Sequence, residues 1–154
     1  GDAGYMKNGE LFLTDRIKDL FKTSNGKYIA PQMIESLLLV DKFIDQVIVI
    51  ANERKFVSAL IVPEFRLVEE WAKDHGIAFE SREDLCANAK VHKMMMDRIQ
   101  TLQQQLAHYE QIKRFTLIAH HFSMESGELT NTLKIRRPVI YKNFKEVVDK
   151  MYEE

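Results

Sequence analysis

Hydrophobic and polar positions alternate between two periods along this chain. IDQVIVIA at 44–51 and FVSALIV at 56–62 are dense in β-branched residues and predict two strands. The polar Asn52-Glu53-Arg54-Lys55 between them reads as a hairpin loop, and Pro63 closes the pair. The period then lengthens. EFRLVEEWAKDH at 64–75 places Phe65, Val68 and Ala72 on one helical face, and Gly76 suits its C-terminal cap. Ser81 with Asp84 three residues on resembles an acidic capping box. A long helix is predicted over about 88–111, with Val91, Met95, Ile99, Leu102, Leu106 and Tyr109 inward.

Upstream, ELFLTD (10–15) and IKDLFKT (17–23) are short strand-like runs, and SNGKYIAP (24–31) is a turn centred on Gly26. Pro31 suits the first turn of a helix, PQMIESLLLV, with Ile34, Leu37 and Leu38 on one face. Downstream, RFTLIAH (114–120) is a strand. Pro138 opens a last helix with Ile140, Phe144, Val147 and Met151 inward. The order is hairpin, helix, two strands, helices, strand, loop, helix. It predicts an α+β fold: a small mixed sheet with packed helices and an N-terminal β-hairpin.

Composition narrows this picture. At 154 residues the prior is one domain, with or without an appendage. A net charge of −1 argues against a nucleic-acid module, whose footprint is strongly basic. The single cysteine, Cys86, rules out an internal disulfide and points to a reducing compartment such as the cytoplasm. No apolar run approaches a membrane span. The opening GDAGYMKNGE lacks an initiator methionine, which reads either as a scar of tag removal or as the start of a piece of something longer.

Single residues carry little chemistry by themselves. His120 and His121 are adjacent on a predicted strand, so they point to opposite faces and suit no shared metal ion. Met95 reads as core filling, the 103–105 glutamine run as a solvated helix face, Trp71 as a packing residue and Cys86 as an idle thiol. Gly26 in TSNGK is one glycine where a phosphate loop needs several, so a type I′ or similar turn is the plainer reading. GELTNTLK (127–134) is a polar loop ending in one cation, Lys134.

Taken in order, the short strings say more. Gly1-Asp2-Ala3-Gly4, then Asp15-Arg16-Ile17-Lys18-Asp19, then the Gly26 turn, then PQMIE at 31–35 resemble the segment joining the two domains of adenylate-forming enzymes. That superfamily comprises acyl-CoA synthetases, firefly luciferase and peptide-synthetase adenylation domains. GELTNTLKIRR resembles its catalytic-lysine loop, in the wording of the long-chain fatty acyl-CoA synthetase branch. The tail near Met151-Tyr152 and the helical insert between Val62 and Phe115 are similar to that branch too. The chain departs from it at Asn131, where proline is usual, and carries Lys18 where many relatives have aspartate.

The resemblance implies the mobile C-terminal domain of an AMP-forming long-chain fatty acid–CoA ligase. Residues 1–16 would end the linker and carry the hinge strand, and 17–154 would form the domain, with a helical insert at about 64–112. The reaction implied joins ATP, fatty acid and CoA through an acyl-adenylate to give acyl-CoA, AMP and pyrophosphate. By resemblance, Lys134 is catalytic, Asp2 and Arg16 bind ATP or AMP, and Lys18 is the hinge. Ser24, Asn25, Gly26 and Lys27 line the path of CoA, with Arg136 and Arg137 as further candidates for its phosphates. Mg²⁺ accompanies ATP, held mainly by an N-terminal domain that would precede Gly1. The fragment alone is expected to be inactive, and the full-length enzyme to be cytoplasmic or peripheral to the inner face of a membrane. Two alternatives stay open: an adenylating enzyme that loads a carrier-protein thiol, and a stand-alone binding module.

Overall fold

The computed structural model describes residues 20–132 and 135–153. Two small sheets organise it. A hairpin pairs β1 (Phe21–Lys22) with β2 (Tyr28–Ile29) in antiparallel register. A three-stranded sheet has the order β3 (Ile44–Ile50), β4 (Val57–Pro63), β5 (Ile112–Leu117). β3 and β4 are antiparallel, whereas β4 and β5 are parallel. All seven residues of β4 are buried, which fits a central strand covered on both faces.

The parallel step needs a crossover, and three helices supply it: α2 (Phe65–Asp74), α3 (Arg82–Ala87) and α4 (Ala89–Leu102). α1 (Pro31–Leu38) packs on β3, while α5 (Arg137–Asn143) and α6 (Lys145–Met151) finish the chain, α6 lying against β5. The α+β architecture matches the sequence expectation. No helix among the described residues is long and apolar enough to cross a membrane.

Local signals account for several boundaries. Pro31 takes the first turn of α1, where its missing N–H costs nothing. Gly76, at φ +70, ends α2: its N–H bonds to Lys73 O, and the Ile77 N–H reaches back to Ala72 O at 2.9 Å. The Ser81 hydroxyl accepts from the Asp84 N–H at 3.1 Å, and Asp84 accepts from the Glu80 N–H at 2.9 Å. Asn88 accepts from the Lys90 and Val91 N–H groups and restarts the chain as α4.

Four expectations are corrected. The long helix, expected over about 88–111, starts as expected after its Asn88 cap but stops at Leu102, followed by a 3-10 turn at His108–Glu110. Gln103 explains the stop. It is buried, accepts from the Ile112 N–H at 2.8 Å and donates to the Ile112 carbonyl at 3.1 Å, so its amide caps the start of β5. Gln103 is therefore no part of a solvated face, and Tyr109 lies 44% exposed instead of inward. β5 begins two residues early and ends at Leu117, so His120 and His121 lie beyond the strand. They separate all the same, His121 pairing with Asp45 and His120 with Glu83. The last helix is two short ones, with Ile140, Val148 and Met151 buried and Val147 only partly so. Met95 is fully buried, as expected for a gap filler.

Candidate active-site hairpin and loop

The β1–β2 turn is built around Thr23. Its N–H bonds to Lys27 O at 2.9 Å, its carbonyl accepts from the Gly26 N–H at 2.9 Å, and its hydroxyl accepts from the Lys27 N–H at 3.1 Å. Gly26 has φ +83, while Asn25 is not in the left-handed region. This is a turn with one left-handed glycine, so of the two readings, type I′ or a similar turn, it is the second, since type I′ needs two such residues. The hairpin is tied to the β3–β4 loop by Ser24 N–H to Arg54 O at 2.9 Å and by Glu53 N–H to Lys22 O at 2.8 Å. Ser24, Asn25, Gly26 and Lys27 all sit at its exposed tip. A Cβ added at Gly26 would meet nothing within 4 Å, so the tip is open.

The second part is the loop between Gly127 and α5. Leu129 pairs with Ile135 across its neck, and the Arg136 N–H bonds to Glu128 O at 2.8 Å. Glu128 is buried, and its carboxylate accepts from Ser126 Oγ at 2.6 Å and Asn143 Nδ2 at 3.1 Å. At the loop's apex the Thr130 and Thr132 hydroxyls lie 3.0 Å apart. Both ends of the loop are thus pinned to the fold. Lys134, Asp2, Arg16 and Lys18 lie outside the described residues.

One contact joins the two parts, and sequence reasoning gave it no role. Arg137 makes a bidentate pair with Glu35 of α1, at 2.6 and 2.7 Å. The second Glu35 oxygen also accepts from the Val49 N–H of β3 at 2.8 Å. The guanidinium stacks 5.4 Å from the Phe21 ring of β1. Burial opposes the charge on Arg137, but the Glu35 hydrogen bonds and charge, with help from Tyr141, raise its pKa above the ordinary value. Tyr141 donates to Val49 O at 3.2 Å, and burial pushes its phenol up to about 12. Arg137 is therefore committed inside the fold, which corrects its candidacy as a CoA-phosphate contact. The clue lay in PQMIE itself, where a glutamate sits on the buried side of a short amphipathic helix.

Cys86 is half-buried, and burial, seconded by Glu83, raises its thiol to about 11, which suits an unreactive thiol. Among the described residues no group of three or more His, Cys, Asp or Glu side chains could hold a metal ion.

The model of the AMP-binding enzyme C-terminal domain matches residues 18–154. The chain belongs to this family. Among its relatives, long-chain-fatty-acid–CoA ligase 1 of Homo sapiens is 36% identical over 99% of the chain, and the peroxisomal long chain acyl-CoA synthetase 7 of Arabidopsis thaliana is 33% identical over all of it. The chain spans 22% and 23% of their lengths. The fold of this AMP-binding C-terminal domain also recurs in the adenylation domain of a carboxylate reductase from Mycobacterium chelonae. There the TM-score is 0.73 at 22% identity, over 90% of this chain and 20% of that one. A second such domain, from Segniliparus rugosus in complex with AMP and a co-purified carboxylic acid, gives 0.72 at 21% identity, over 89% of this chain and 20% of that one.

Proposed function

We propose that this domain is the mobile catalytic lid of an AMP-forming long-chain fatty acid–CoA ligase, with Lys134 as its catalytic residue. The observation that carries the reading is the pinned loop: its neck is closed by the Leu129 and Ile135 pairing, and its exit is locked by Arg137 on Glu35. The described residues on either side of position 134 thus form a rigid base for the proposed role of Lys134. The identity to long-chain ligases over the whole chain favours this branch over carrier-protein loading.

In the first half-reaction a carboxylate attacks the α-phosphate of ATP, which brings an anion to an anion. A compact ammonium between them stabilises the charge that builds in the transition state. Two unit charges 4 Å apart interact by about 4 kcal/mol at an effective dielectric of about 20. Lys134 fills this role, Asp2 accepts from the ribose hydroxyls, and Arg16 offers its fork to ribose or phosphate oxygens. The domain then turns about Lys18, a hinge that takes up the backbone rotation. The open tip at Ser24, Asn25, Gly26 and Lys27 replaces the lysine loop and lets the CoA thiol reach the adenylate. In this reading a larger N-terminal domain holds the fatty acid, ATP and most Mg²⁺ contacts, and the whole enzyme works in the cytoplasm or against the inner face of a membrane.

The two half-reactions separate the roles. Lys134→Ala in the full-length enzyme abolishes adenylate formation, read by ATP–pyrophosphate exchange, but spares thioester formation from pre-made acyl-adenylate. Equal loss of both halves sinks this division of labour.

A further inference from the structure

Tyr152, just after α6, holds the loop on which the hairpin rests. Its hydroxyl lies 2.6 Å from Phe56 O and 3.1 Å from Ile50 O, the carbonyls at the two ends of the β3–β4 loop. A phenol has one proton, so it donates chiefly to Phe56 and reaches Ile50 as a shared second acceptor. The Ser58 hydroxyl of β4 donates to the same oxygen at 2.9 Å. The Tyr152 and Phe56 rings stack with centroids 4.5 Å apart, and the Arg54 guanidinium lies 4.9 Å from the centre of the Tyr152 ring. Arg54 is also held by Asp149 of α6 at 3.4 Å. Tyr152 is fixed in turn: Arg114 of β5 donates to Met151 O at 2.6 Å and to Glu153 O at 2.8 Å, the carbonyls on either side of it. Burial raises the phenol above its ordinary pKa, against the Ser58 bond and the Arg54 charge, so the hydroxyl stays a donor at neutral pH.

The loop held in this way carries the hairpin. Arg54 O accepts from the Ser24 N–H, and the Glu53 N–H donates to Lys22 O. Asn52 Oδ1 accepts from the Lys22 N–H at 3.2 Å, and Lys55 O accepts from Asn25 Nδ2 at 3.4 Å. All these loop groups lie between Ile50 and Phe56, the two residues whose carbonyls face the phenol. We infer that Tyr152 is a positioning residue for the second half-reaction: it sets the β3–β4 loop, and through that loop the hairpin tip from Ser24 to Lys27. The inference rests on the CoA path proposed at that tip. The hydroxyl is spent on loop carbonyls, so it acts through them and not on substrate. The loop that carries Lys134 is anchored elsewhere, by Glu35 on Arg137 and by Glu128 on Asn143, and keeps its place without the phenol hydroxyl.

The test is Tyr152→Phe in the full-length enzyme, which deletes the hydroxyl and keeps the ring stack. Hydrogen exchange read by mass spectrometry should quicken about tenfold in peptides covering 22–27 and 52–56 and stay unchanged over 31–38, a factor equivalent to about 1.4 kcal/mol. In thioester formation from pre-made acyl-adenylate, kcat should fall about tenfold while KM for CoA moves less than about twofold, because geometry is lost and no CoA contact is removed. ATP–pyrophosphate exchange should hold its wild-type rate. Ser58→Ala is the control for stability. It removes a buried partner of the same hydroxyl but leaves both loop carbonyls satisfied, so it should lower Tm without slowing thioester formation. Equal losses in both half-reactions overturn the assignment, as does unchanged hydrogen exchange at the hairpin or a Ser58→Ala variant as slow as Tyr152→Phe. Gly26→Leu, which fills the tip directly, separates the two readings. If it slows thioester formation selectively and Tyr152→Phe does not, the tyrosine assignment alone falls. If neither does, the CoA path falls and takes the assignment with it.

Discussion

Replacing Glu35 by alanine removes the carboxylate that holds Arg137 and leaves two donors stranded. The Arg137 side chain is 18% exposed and that of Glu35 8%, so water re-solvates the guanidinium only in part. Breaking a buried pair from one side costs about 3–5 kcal/mol, and the residual exposure places this pair near the lower figure. The Val49 N–H in β3 also loses its acceptor, a loss of about 1–3 kcal/mol if water cannot enter. The two losses overlap, so about 3–4 kcal/mol is expected in total. For a chain of this size 1 kcal/mol moves Tm by about 2–4 °C, so thermal unfolding followed by circular dichroism should show a fall of roughly 6–16 °C. Stability alone does not separate a strut from a positioning device. The double variant Glu35→Leu/Arg137→Leu does, because replacing both partners by apolar groups can recover stability while leaving the exit of the Lys134 loop unlocked. If the pair positions that loop, Tm recovers in the double variant of the full-length enzyme and ATP–pyrophosphate exchange does not. A Tm change under 2 °C for Glu35→Ala refutes the packing argument. Recovery of both stability and exchange in the double variant refutes the positioning role.

Two further predictions concern the hairpin and the pH response. Gly26→Ala should cost about 1–2 kcal/mol from the left-handed backbone alone, since a Cβ meets no neighbour; Gly26→Leu should in addition depress thioester formation more than adenylate formation, and equal effects on both halves would refute the proposed CoA path. Tyr141 has its phenol raised from 10 to about 12, so its contribution to stability is complete below pH 10 and is lost as pH climbs toward about 12. Urea unfolding at about pH 9 and about pH 11.5 should therefore show a steeper loss for wild type than for Tyr141→Phe, and identical slopes would refute the assignment.

Local pattern alone determined much of this molecule. β3 and β4 are written in β-branched residues, α1 by Pro31 and an apolar stripe, the end of α2 by Gly76, and the place of Met95 by helical spacing. These signals are short-range: a dihedral preference or a repeat of 2 or 3.6 residues acts within one element. The lysine loop and hairpin were legible as ordered strings, though neither Lys134 nor Gly26 stood out alone. What periodicity could not reach were polar side chains whose meaning depends on a distant partner. Gln103 looked solvated inside a run of three glutamines, yet its amide is spent on the Ile112 backbone, and that pairing ended the predicted helix. Arg137 was a candidate for the CoA phosphates, yet Glu35, 102 residues away, claims it. A polar residue costs little in water and much in the core without a partner, so only the packed chain, by supplying or withholding that partner, decides which of the two it is.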